Sequence, residues 1–96
     1  MRRQKAIQIG ELVNQFLREE GLETPYNEFR MEKAWGEVMG QGIVRYTGRV
    51  FVKSQALYVE LRSSVIRQEL MLGRQQLVAR LNNYVGAQVI QKIVFI

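Results

Sequence analysis

The apolar positions of the first forty residues fall into two helical stripes. Ile9, Leu12, Val13, Phe16 and Leu17 recur at i, i+3, i+4, i+7 and i+8, the spacing that gathers an apolar band along one side of an α-helix. Gly21, after Arg18-Glu19-Glu20, reads as the residue that ends this helix, because glycine enters left-handed backbone without a Cβ penalty. Residues 22–26 read as a connection. Met31, Ala34, Trp35 and Val38 form the second stripe, which ends at Gly40. Phe29 lies on the opposite side of that helical wheel, either ahead of the helix or against the first one.

After Gly40 the period falls to two. Val50 and Val52 alternate with Arg49, Phe51 and Lys53; Leu57, Val59 and Leu61 alternate with Tyr58, Glu60 and Arg62. Ser54-Gln55-Ala56 between them is a short polar turn, so the two runs predict a β-hairpin. Its buried face is Val50, Val52, Leu57, Val59 and Leu61. Ser63-Ser64 then offers a hydroxyl N-cap to a long helix with Ile66, Leu70, Leu77, Leu81 and Tyr84 or Val85 on its stripe. Gly73 marks a kink or a break in it, and Gly86 closes it. Val89 to Ile96 predicts a last strand. Its end, Ile93-Val94-Phe95-Ile96, is apolar on both faces, which predicts a place inside the sheet or under cover rather than on a bare edge. The order α-α-β-β-α-β, with the long helix as crossover, gives an α+β two-layer sandwich: a three-stranded mixed sheet covered by helices.

Composition narrows the chemistry. The chain has 96 residues, 47% of them apolar and 24% charged, enough for one core and one domain spanning 1–96. It contains no Cys, no His and no Asp. Disulfides, thiolate nucleophiles and Cys-rich zinc sites are therefore excluded, and the commonest general base and metal ligand are missing. A binding module is expected rather than an enzyme, with no cofactor and no metal. No stretch approaches the roughly 18 apolar residues of a membrane span, and no apolar run follows the charged start, so a cytoplasmic protein without membrane contact is expected.

Charge is divided along the chain. The formal net charge is +5 and the pI about 10.0. Residues 1–40 carry six bases and seven acids, whereas residues 41–96 carry eight bases and two acids. A basic second half attracts polyanions, of which nucleic acid is the usual one. The alternative is that the acidic first half folds against it and cancels it. Arg2, Arg3 and Lys5 read as a flexible basic arm over residues 1–5.

Several of these residues carry a family resemblance. Trp35-Gly36-Glu37-Val38-Met39-Gly40 is similar to the W-x-x-V-V-G signature of the DciA-like family. The match continues through Tyr46-Thr47, Leu57-x-Val59-x-Leu61-x-Ser63-Ser64, Glu69-Leu70, Leu81-Asn82, Gly86 and Ile90-x-x-Ile93-x-Phe95, so it spans about residues 35–95. The resemblance implies a KH-like fold, DNA binding and assistance in loading the replicative DnaB-type helicase. KH domains proper clamp nucleotides with a G-x-x-G loop between two helices. Here Leu72-Gly73-Arg74-Gln75 stands in that place, so the clamp is not carried over.

The candidate nucleic-acid-binding residues lie on the outward face of the hairpin and beside it. Arg49, Phe51, Lys53, Tyr58 and Arg62 mix cations, which neutralise phosphates, with rings, which stack on unpaired bases. Phe51 and Tyr58 also read as an ordinary cross-strand pair. Arg67 and Arg74, seven residues apart, share a face of the long helix, and with Arg62 and Arg45 make a basic strip. The stripe position of Trp35 reads as core, and Glu28 with Glu32 as a carboxylate pair without a partner base. The leading expectation is a non-enzymatic module that grips single-stranded or junction DNA and assists a replicative helicase. The alternatives are a protein–protein adaptor or homodimeric scaffold, and an RNA-binding KH-like factor.

Overall fold

The computed structural model describes the backbone of residues 2–96 and the side chains from Ile9 onward. The elements run α1 (Arg2–Glu19), α2 (Glu23–Met39), α3 (Gln41–Val44), β1 (Thr47–Lys53), β2 (Ala56–Leu61), α4 (Ser64–Leu72), α5 (Arg74–Val85) and β3 (Lys92–Phe95). Side chains of the expected basic arm, Arg2, Arg3 and Lys5, lie outside the described residues.

Gly21 ends α1 as its sequence position requires. Its φ is +68°, its N–H bonds the Arg18 carbonyl at 3.3 Å, and the Leu22 N–H bonds the Leu17 carbonyl at 2.8 Å. This is the paired closure that glycine permits at a helix end. The connection is shorter than the expected 22–26, because α2 begins at Glu23 and takes Pro25 into its first turn. There a missing N–H costs nothing, since first-turn donors have no intrahelical acceptor. Phe29 therefore lies within α2, exposed, with the Lys33 ammonium 5.0 Å from its ring centre.

The sheet has the order β1-β2-β3, with β1 and β2 antiparallel and β2 and β3 parallel. The helices α4 and α5 form the crossover, and Gly73 breaks it into two rather than kinking one. The Ser63 hydroxyl caps α4 by accepting the Ile66 N–H at 3.3 Å. Met31, Ala34 and Trp35 of α2 and Leu77, Leu81 and Val85 of α5 meet Leu57, Val59, Leu61 and Ile93 in one buried cluster. The sheet is thus covered by helices on a single face, as an α+β two-layer sandwich.

The last strand is not inside the sheet, although Ile93 is buried in the core and Phe95 packs against it. It begins at Lys92, not Val89, and it lies at an edge of the sheet. The central place goes to β2, four of whose six residues are buried. As an edge, β3 is only four residues long and opens on a lysine, two features that discourage strand-to-strand aggregation.

Candidate nucleic-acid interface

The hairpin carries two irregularities that shape its outer face. Ser54 and Gln55 occupy positive φ, +50° and +63°, the conformation of a two-residue turn whose twist matches that of the flanking strands. Near the other end the register slips between Thr47 and Val50, so that Gly48 and Arg49 together face Glu60. This bulge turns Thr47 inward, to the same side as Val50, while Arg49 keeps the outward side that strand alternation gives it.

Strand register then sets out three rows on the outer face. Lys53 pairs with Ala56, and Ala56 with Lys92; Phe51 pairs with Tyr58, and Tyr58 with Val94. In the third row Arg49 stands beside Glu60, and Ile96 brackets Glu60 through bonds to Val59 and Leu61 at 2.9 and 3.0 Å. Phe51, Tyr58 and Val94 lie outside the core cluster. Arg49, Lys53 and Lys92 are exposed, and Arg62 continues the outer face beyond the end of β2, also exposed.

The two rings stack at 5.0 Å between centres and 7° between planes, and the Arg49 guanidinium sits 5.8 Å from the centre of Phe51. Phe51 is therefore held between Tyr58 and a cation. Tyr58 keeps a face toward β3, where its neighbour is the short side chain of Val94. One carboxylate lies among these cations. Glu60 accepts the backbone N–H of Arg49 at 3.1 Å and lies over Gly48, where any side chain would collide with it. Its charge is directed at the bulge backbone, not at a guanidinium.

The remaining expected residues are dispersed. Arg62 and the Arg45 loop are joined by the bond from the Arg62 N–H to the Tyr46 carbonyl at 2.8 Å, and the Arg45 side chain is exposed. Arg67 is half-buried and donates from Nη2 to the Leu61 carbonyl at 2.8 Å, fastening α4 to the end of β2. The face that Arg67 and Arg74 were expected to share does not exist, since the break at Gly73 separates them. Arg74 instead lines a groove of about 570 Å³ with Met71, Val78, Lys92 and Phe95. Lys92, not foreseen from the sequence, borders both the groove and the outer face. No local signal reveals it, because its neighbour Ala56 is set by pairing across a 30-residue crossover.

A second set of polar contacts holds this arrangement from beneath. The buried Trp35 donates its indole N–H to the Thr47 hydroxyl at 3.2 Å, and that hydroxyl donates to the Ile43 carbonyl at 2.9 Å. This pins the start of β1 to α2 and α3. Glu32 accepts the Val52 N–H at 3.3 Å, satisfying a donor on the outer edge of β1, so it serves the strand rather than any acid–base pair with Glu28. Buried Asn82 bonds Val89, Ile90 and Gln88, shaping the loop that enters β3. Tyr84 hydrogen-bonds Glu37 across α5 and α2, and that bond holds the phenol above its ordinary pKa. Among the described residues no cluster of His, Cys, Asp or Glu is suited to a metal, and no helix is long and apolar enough to cross a membrane.

Comparison with curated proteins finds no match. The family model described as Dna[CI] antecedent, DciA, matches residues 8–95. That family is associated with helicase loading in DNA replication, as an accessory rather than a known enzyme family. The match takes in both helical stripes, the bulged hairpin with its outer face, the broken crossover and the Asn82-held loop, and the chain belongs to this family.

Proposed function

We propose that the chain is a non-enzymatic, KH-like DNA-binding module that assists loading of a replicative helicase, working in the cytoplasm. The observation that carries the reading is the outer sheet face. It presents Arg49, Lys53, Arg62 and Lys92 around the Phe51–Tyr58 stack, with a single carboxylate, Glu60, turned to the backbone. Cations spaced across a sheet face suit a phosphate chain, and half-buried rings among them suit an unpaired base. The strand would run along the outer face, pass Lys92 and reach Arg74 in the adjoining groove. Arg45 extends the basic end of the hairpin, and Arg67 contributes charge from its fixed position at the end of β2. The helicase is engaged through another surface.

The test is a fluorescence-anisotropy titration with single-stranded and forked DNA at several salt concentrations, competed by RNA of the same sequence. Binding that weakens as salt rises and resists RNA supports the reading. Absence of binding at low salt removes the DNA part of it, and equal competition by RNA shifts the ligand to RNA.

A further inference from the structure

The second half of α1 leaves its apolar stripe in water. Ile9, Leu12, Val13 and Phe16 are 60, 64, 47 and 55% exposed, and only Leu17 is half-buried, against the region where α1 meets α2. In proteins most of a helix's stability comes from packing of its amphipathic face, so an 18-residue helix of this kind is normally stabilised by something covering its stripe. Four side chains of this size, each about half exposed, amount to roughly 300–400 Å² of apolar surface, as much as the largest patch on many monomers. In the described structure no element of the chain covers it.

We infer that this stripe pairs with the same stripe of a second copy, the two α1 helices lying antiparallel. Charge selects both the occupant and its direction. In sequence the chain opens on Arg2, Arg3 and Lys5; at the helix end Glu19, then Glu20 just beyond it and Glu23 at the start of α2, outnumber the one base, Arg18. An antiparallel pair centred between Leu12 and Val13 sets the basic end of each copy level with the acidic end of the other. A parallel pair sets like against like. A two-fold axis needs only one self-complementary patch, which this helix supplies. Two copies bury on the order of 1,000 Å² in all, the low end for a specific interface, so the dimer is weak and concentration-dependent. Its consequence is bivalence: two basic sheet faces on one DNA strand, with avidity that neither face has alone.

Sedimentation equilibrium of the full chain across the micromolar range is the experiment, with Leu12→Glu and Phe16→Glu alongside. Both positions are exposed, and the emission of the sole tryptophan, buried Trp35, reports whether the domain stays folded. The expected result is a monomer–dimer equilibrium in the parent chain and monomer in folded variants. Direction is read by oxidation, since the chain has no cysteine of its own. Val13→Cys lies beside the axis and cross-links to its copy. Ile9→Cys lies about 10 Å along the axis from its counterpart and does not, beyond the reach of a disulfide. Cross-linking at both positions means parallel pairing and overturns the antiparallel assignment. A parent chain that stays monomeric, or a dimer indifferent to both glutamates, overturns the proposal. A monomer whose glutamate variants lose helicase binding gives the stripe to a partner helix and also overturns it.

Discussion

Asn82 and Ile90 are bonded twice through their amides: the Asn82 Oδ1 accepts the Ile90 N–H at 3.2 Å, and the Asn82 Nδ2 donates to the Ile90 carbonyl at 2.9 Å. The side chain thus behaves as a short piece of neighbouring strand, and its Oδ1 also accepts the Val89 N–H at 3.0 Å. The loop after Gly86 has no other partner of this kind, yet it must deliver Ile90 and Ile93 into the core. Asn82→Ala leaves the buried N–H and carbonyl of Ile90 unpaired, each costing about 1–3 kcal/mol, while the Val89 N–H keeps its bond to the Ala87 carbonyl. A loss of roughly 2–4 kcal/mol is expected, with a Tm about 10–20 °C lower. Hydrogen exchange of the Ile90 amide is expected to accelerate; retained protection contradicts the role given to Asn82.

The hairpin turn stores removable strain. Ser54 and Gln55 both hold positive φ without being glycine, at about 1–2 kcal/mol per residue. Ser54→Asn with Gln55→Gly supplies the residues such a turn favours. The double variant is expected to be about 1–2 kcal/mol more stable by urea titration, with unchanged DNA affinity because neither side chain belongs to the outer rows.

The bulge pairs a missing side chain with a carboxylate. Gly48→Ala displaces Glu60 from the Arg49 N–H and is expected to cost about 1 kcal/mol. In a Glu60→Ala background the same change meets no carboxylate, so its cost falls close to zero in a double-mutant cycle. Glu60→Ala alone also removes the one negative charge among the outer-face cations and is expected to tighten DNA binding. Additive stabilities, or weaker binding, contradict this account of Glu60.

Tyr84 offers a titration. Its bond to Glu37, followed by desolvation and the nearby negative charge, raises the phenol above its ordinary value of about 10, while Arg30 opposes the shift. A folded-state pKa above the unfolded one gives a contribution fully present below the unfolded pKa, and lost as pH rises through the folded value. Ultraviolet difference absorbance in alkaline solution is expected to show the Tyr84 phenol ionising late, and Glu37→Gln is expected to bring it back toward the ordinary tyrosine value. Between neutral pH and about pH 9, the pair makes stability no more pH-dependent.

Period and punctuation carried the fold a long way. The stripes of α1 and α2, the hairpin faces, Gly21, Gly73, Gly86 and the Ser63 cap are local signals, each decided by neighbours within a few residues. What escaped were relationships fixed at distance. Pairing across the crossover decided that β3 is an edge and that Lys92 joins the outer face. The bulge at Gly48–Arg49 has no signature until Glu60 is seen opposite it. Arg67 and Arg74 share a face only if the helix continues through Gly73. The short α3 fell between two clear periods. Phe51, Tyr58, Arg49 and Lys53 were legible together because a two-residue turn fixes antiparallel register.

The most direct test of the outer face is the salt slope of single-stranded DNA binding in the parent chain and in Lys53→Gln/Lys92→Gln. The four outer-face cations, Arg49, Lys53, Arg62 and Lys92, contribute about −3 to the log–log slope, and losing two of them flattens it by about 1.4. Arg18→Gln, on α1, is expected to leave the slope unchanged. A lysine double variant that stays folded and keeps both the parent affinity and the parent slope contradicts the placement of DNA on this face.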